Sequence, residues 1–152
     1  MGGEGGAEGG VVELKEAIAR RHSVRRYREE PVPQELVTEI LQLASRAPSA
    51  GGLRAYMSIA TEEQLTNVKS PLSLVICALP EVSGKRYGER GRSLYAIQDA
   101  TIYGAYIQLI ALDYGLSSVW VGAFREGRVK RILGLGENIR PVAIIHLGYK
   151  EE

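Results

Sequence analysis

Apolar positions recur along the chain with two different periods. Val11, Leu14, Ala17 and Ile18 follow helical spacing and predict a helix over residues 12–21. In "PQELVTEILQLASRA", Leu36, Val37, Ile40, Leu41, Leu43 and Ala44 share one face, and Pro33 suits the first turn of a second helix. That helix is expected to stop at "APSAGG", where Pro48 cannot continue it. The longest helical pattern runs from Leu94 to Tyr114, with Ile97, Ala100, Tyr103, Gly104, Ile107, Ile110 and Ala111 inward and Gly115 as its stop. "REGRVKRILGL" predicts a short amphipathic helix. Four stretches predict strands: "AYMSIA", "LSLVICAL", "SSVWVGAF" and "PVAIIHLGY". "LSLVICAL" is apolar at nearly every position, as in a strand buried on both faces. "TEEQLTNVKS" reads as a turn of helix or a loop, and "PEVSGKRYGERGR" as a polar, glycine-rich loop.

Helices and strands mix without a strict strand–helix–strand rhythm. The expected fold class is therefore α+β, a mixed, mostly antiparallel sheet flanked by helices. Four strands leave two faces to cover, and the long helix is unusually apolar. Both features predict that a second copy completes the fold, making a homodimer. Residues 12–152 are expected to form one domain behind a disordered Gly/Glu-rich segment, 1–11.

Composition narrows the function. The 152 residues are 45% hydrophobic and 24% charged with a net charge of +1, an ordinary globular balance. Near-neutrality argues against a nucleic-acid partner, which would call for a broad basic face. No run of eighteen apolar residues predicts a membrane span. The N-terminal segment lacks a signal-peptide pattern, so the expected location is the cytoplasm. Cys77 is the single cysteine, which excludes an internal disulfide and a Cys-rich zinc site; its apolar surroundings read as core. No metal site is expected.

Against this neutral background, "RRHSVRRY" and the following Arg28 put five arginines around His22 and Ser23. A charge run is commonly a solvated face. Here it lies just past a helix, in an irregular segment bounded by prolines, which can aim Arg21, Ser23 and Arg25 at one target. Two guanidinium forks and a hydroxyl suit a phosphate. "APSAGGLRAY", with Pro48, Ser49 and Ala50, is either a plain helix-to-strand loop or a small-residue surface that a flat ligand can approach closely. Val121, Gly122 and Ala123, after an apolar strand, are open to the same two readings. His146 falls in an apolar strand and reads as a core histidine. No dinucleotide or P-loop glycine pattern occurs, and no protein nucleophile or paired carboxylates stand out. An enzyme with this inventory would rely on a cofactor.

Taken together, these segments resemble the nitroreductase family of FMN-dependent oxidoreductases. "RHSVR" fits its opening Arg-x-Ser-x-Arg, "LASRAPSAGG" its Ala-Pro-Ser helix end, "GLSSVWVGAF" its Gly-Leu-x-Ser-x-Trp motif, and "RPVAIIHLGY" its closing strand. The resemblance runs in order over nearly all of residues 12–149. "PSAGGLRAY" is closer to the thiazole/oxazole-forming dehydrogenase branch.

The resemblance implies that Arg21 and Ser23 hold the FMN phosphate, Arg25 the ribityl and pyrimidine side, and His22 lies alongside through its backbone. It implies that Pro48, Ser49 and Ala50 pack on the isoalloxazine from the other subunit, while Val121, Gly122 and Ala123 line its reactive face. It further implies ping-pong hydride transfer from NAD(P)H to the flavin and on to a small acceptor, a quinone or nitro compound, with no catalytic side chain. Members usually continue past the last strand into a tail with a basic phosphate contact; here "KEE" follows Tyr149, and Lys150 is the basic residue at that place. Gln64 and Asn67 are candidates for reading the pyrimidine edge. The alternatives are a non-catalytic flavin-binding protein, an azoline-type dehydrogenase, and a phosphate- or nucleic-acid-binding module.

Overall fold

The computed structural model describes residues 12–152; the expected disordered segment, 1–11, lies outside the described residues. Helices α1 (Leu14–Arg20) and α2 (Gln34–Ala44) come first, followed by strands β1 (Tyr56–Thr61) and β2 (Leu72–Ala78). Helix α3 (Pro80–Arg90) runs through a π-helical turn, Gly91–Tyr95, into α4 (Ala96–Asp113). Strand β3 (Ser117–Val121), helix α5 (Glu126–Leu133) and strand β4 (Arg140–Gly148) complete the fold.

The sheet has the order β1-β2-β4-β3, and all three pairings are antiparallel. The expected α+β class, with a mostly antiparallel sheet flanked by helices, is what forms; the parallel element is a single bridge, Ser23 to Ser118. β2 and β4 occupy the centre and are buried on both faces. On one side Leu74, Ile76, Ala143 and Ile145 pack under α2 and α4. On the other, Val75, Cys77 and Ile144 pack with Leu65 and Val129 of α5. Cys77 is fully buried in that second layer, which pushes its thiol up to about 12.

Helix α4 follows its sequence pattern: Ala100, Tyr103, Gly104, Ile107 and Ala111 are all buried. Helix α1 forms where its spacing predicts, yet only Ala17 is buried, while Leu14 is 68% and Ile18 57% exposed. Among the described residues, nothing covers its apolar stripe.

The segment 80–92, expected as a loop, is largely helical. Pro80 starts α3 at a position where its missing N–H costs nothing. The small residues Ser83 and Gly84 are buried against the π-helical turn. Gly88, at φ 63° and ψ −143°, bends the helix so that the two arms fold together. The glycines that read as loop punctuation serve a close helical turn. Among the described residues, no helix is long and apolar enough to cross a membrane.

Candidate functional site

The arginine segment, 20–28, runs beside β3 and the end of β4. Val24 N–H donates to Ser118 O at 3.0 Å, Arg28 N–H to Tyr149 O at 2.8 Å, and Glu151 N–H to Arg26 O at 3.0 Å. Val24 and Tyr27 point inward and are buried, which leaves Arg21, His22, Ser23 and Arg25 exposed. The Tyr27 hydroxyl donates to Val24 O and so fixes the loop from inside.

The five arginines divide by partner. Arg20 pairs with Glu16 at 3.4 Å, Arg26 with Glu151 at 3.8 Å and Arg28 with Glu30 at 3.4 Å. Among the described residues, Arg21 and Arg25 have no carboxylate partner. His22 Nδ1 lies 3.0 Å from Arg20 O. A cleft of about 440 Å³ opens here, bordered by His22, Ser23, Arg25 and Lys150 together with Glu151 and Glu152. The strand geometry thus brings Lys150 to the arginine segment across more than a hundred residues of chain.

A second cleft, about 560 Å³, lies at the carboxyl end of β3, with Val121 and Ala123 on one side and Leu65, Thr66, Asn67 and Val68 on the other. Gly122 faces a neighbouring hollow beside Ile97 and Val142. Four residues of strand separate Ser118, where the arginine segment attaches, from Gly122, roughly 13 Å. Of the two candidates for the pyrimidine edge, Asn67 borders this cleft. Gln64 does not; its side-chain amide donates to Thr66 O and Val68 O at 2.7 and 3.3 Å and shapes the loop.

That loop is held from behind by His146, which is 1% exposed. Its Nε2 lies 2.7 Å from Thr66 Oγ1, and its Nδ1 lies 2.9 and 3.1 Å from the Ser70 and Ser73 hydroxyls. Ser70 spends its own proton on Leu72 O, and Thr66 Oγ1 already accepts from Val68 N–H. The consistent arrangement is neutral imidazole, Nδ1–H donating to Ser70 and Nε2 accepting from Thr66. Burial pushes His146 down to about 4.

Pro48, Ser49 and Ala50 lie at the opposite edge of the sheet, in the loop leading into β1. They share an end of the sheet with Val121–Ala123, but three strand spacings separate the two, about 14 Å. They line neither of the clefts that hold Val121, Gly122 and Ala123. The loop is anchored by Asp99, which is 2% exposed and accepts from Ala50 N–H at 3.0 Å and Ala55 N–H at 3.3 Å. Ser49 Oγ accepts from Arg54 N–H at 3.0 Å, and Arg54 Nε donates to Ser45 O at 2.9 Å. Gly51, Gly52 and Arg54 all have positive φ, so the turn is tightly wound.

Asp99 belongs to no motif and stands in the first turn of α4, where an acid is ordinary. The backbone is already helical at Tyr95, ahead of α4, so no helix end is there to favour it. A lone acid among apolar positions on a helix's inner face was the available signal.

The sequence pattern of the nitroreductase family matches residues 18–71 and 61–149. The NADH dehydrogenase of Thermus thermophilus is 30% identical, over 93% of this chain and 89% of that protein. A nitroreductase family protein from Streptococcus pneumoniae shares the fold with a TM-score of 0.84, covering 92% of both chains at 17% identity. An FMN-dependent nitroreductase from Clostridium difficile matches with a TM-score of 0.75 and 28% identity, over 90% of this chain and 87% of that one. With the family pattern spanning most of its length, and a relative of matching extent at that identity, the chain belongs to the nitroreductase family of oxidoreductase enzymes.

Proposed function

We propose that this protein is an FMN-dependent oxidoreductase, working as a homodimer, that passes electrons from NAD(P)H to a small acceptor such as a quinone or nitro compound. The observation that carries this reading is the division of the arginines. Three are satisfied by carboxylates, while Arg21 and Arg25, on either side of the exposed Ser23 hydroxyl, have no such partner among the described residues, and Arg25 and Ser23 share a cleft border with Lys150. Unpaired guanidinium groups beside a hydroxyl suit a phosphate. The small residues Gly122 and Ala123, further along the same strand edge, suit a flat ring at close approach.

In this reading Arg21 and Ser23 bind the phosphate, and Lys150 adds a second positive charge. His22 contributes its backbone. Arg25, toward the ribityl and pyrimidine side, places a fixed cation where negative charge accumulates on reduction. Val121, Gly122 and Ala123 form one wall. Pro48, Ser49 and Ala50 of a second copy form the other, which accounts for their separation within one chain. The uncovered Leu14 and Ile18, together with exposed Leu43 and Tyr106, support a partner over α1, α2 and α4. Bound FMN would supply the chemistry, accepting hydride from NAD(P)H and releasing electrons to the acceptor. The Thermus thermophilus relative, named an NADH dehydrogenase, supports the nicotinamide donor.

The protein purified with added FMN is expected to be yellow and dimeric. Arg21→Ala should weaken FMN binding by roughly 1.5–3 kcal/mol, the worth of a hydrogen bond to a charged group. A colourless monomer in a flavin titration would refute the reading, and unchanged affinity in the variant would move the phosphate elsewhere. Under anaerobic conditions NADH or NADPH should bleach the bound flavin's absorbance. Tight FMN with no bleaching by either would leave a flavin-binding protein rather than this enzyme.

A further inference from the structure

Helix α3 and the turn after it carry a feature that the reading above does not use. Arg86 lies over the Tyr87 ring at 5.3 Å and Arg90 over the Tyr95 ring at 5.5 Å. The two rings meet edge to face at 5.1 Å, and Arg90 Nε donates to the Tyr95 hydroxyl at 3.1 Å. The four side chains form one continuous cluster across the Gly88 bend. Both arginines are exposed, and both tyrosines are half-buried. Among the described residues, Arg86, Arg90 and the neighbouring Lys85 make no ion pair, whereas Arg92 close by is bound to Glu81.

The cluster abuts the loop that follows Pro48–Ala50. A methyl group on Gly51 would fall 2.6 Å from the Tyr87 hydroxyl and 3.0 Å from an Arg86 guanidinium nitrogen. Gly51 also has φ 61°, so a side chain here would strain the backbone and displace the tips of Tyr87 and Arg86.

A guanidinium held against an aromatic side chain is oriented by it, and its remaining N–H groups stay available to an anion. A free phosphate would need no tyrosines, and a neutral ring would need no unpaired arginines. We infer that the Arg86–Tyr87–Tyr95–Arg90 cluster is the acceptor-binding wall of the site and selects small aromatic acceptors that carry an anionic group, a sulfonate or carboxylate. The inference rests on the proposal that Pro48–Ala50 flank the flavin.

Two measurements test it. In the first, naphthalenesulfonate and neutral naphthalenemethanol are titrated calorimetrically into the protein and into the Arg86→Gln/Arg90→Gln variant. The sulfonate should bind the unsubstituted protein the more tightly and lose about tenfold in the variant, with the neutral ligand little changed. In the second, KM is measured with a sulfonated naphthoquinone and its unsulfonated parent. The sulfonated quinone should lose about tenfold and the parent less than about twofold, at unchanged FMN affinity and unfolding temperature. Arg86→Lys/Arg90→Lys, which keeps the charge but not the planar fork, should recover part of the loss. Equal losses for both quinones, equal sulfonate binding by protein and variant, or a rise in KM confined to NADPH would overturn the assignment. Failure of the protein to take up FMN would refute the proposed function, and the calorimetric titration would still decide this inference.

Discussion

Replacing Asp99 with alanine is expected to destabilise the folded chain by about 2–3 kcal/mol, since leaving a buried donor unpaired costs about 1–3 kcal/mol and Ala55 N–H is buried while Ala50 N–H is partly so. Asp99 is nearly inaccessible and holds two backbone N–H groups, those of Ala50 and Ala55. Ala55 is fully buried, so its N–H would lose its acceptor away from bulk water. The loop between these two amides holds three residues at positive φ, Gly51, Gly52 and Arg54. Asp99→Asn retains one acceptor and turns an amide donor toward a second donor, so it should lie between alanine and the native residue. Urea unfolding of the three proteins measures the order. If Asp99→Ala unfolds within about 1 kcal/mol of the parent, water has taken the carboxylate's place and the anchor is not what holds the loop.

Lowering the pH from 7.5 to 4 should cost the native protein about 3 kcal/mol through His146 alone, at 1.36 kcal/mol per pKa unit. Above pH 6.5 the imidazole is neutral in both folded and unfolded chains. Between 6.5 and about 4 the unfolded chain takes up a proton that the buried ring refuses, so stability falls as the pH falls. Below about 4 the folded form is protonated too, and the loss levels off. Carboxylates titrate in the same region, which makes His146→Gln the necessary comparison. Glutamine can still meet Thr66 and Ser70 but cannot take up the proton. The variant should show the shallower pH dependence, and parallel curves for the two proteins would count against His146. Because Thr66 belongs to the wall of the β3 cleft, acid should also loosen residues 65–68 before the rest of the sheet gives way.

Much of the fold is legible in the sequence because its elements announce themselves locally. "LSLVICAL" and "PVAIIHLGY" are continuous apolar runs and become the two central strands. The inner face of α4 is written at helical spacing. The legible part of the candidate site is the arginine segment, whose charge contrasts with a neutral chain. What stays hidden depends on contacts between distant segments. Nothing near Asp99 marks it as the anchor of a loop 44–49 residues upstream. Arg21 and Arg25 are singled out in the sequence by their places beside Ser23, and Glu16 and Glu30 lie four and two residues from the arginines they pair; only the Glu151 partner of Arg26 comes from a distant segment. The α3 hairpin reads as a loop because its glycines serve a sharp bend, a use that composition alone does not separate from disorder.

Of the three backbone hydrogen bonds that fasten residues 24–28, one reaches Ser118 of β3, and the two to Tyr149 and Glu151 join a segment near the start of the fold to residues that follow its last strand. They make one unit of two stretches far apart in the chain. Amide exchange at Val24, Arg28 and Glu151 should therefore occur in concert, at a rate set by a shared opening rather than by separate fraying. Proteolytic trimming after Tyr149 would remove the Glu151 attachment and speed exchange at Val24, far from the cut in sequence. The carboxyl end of the chain acts in this way as a clasp on its amino-terminal basic segment.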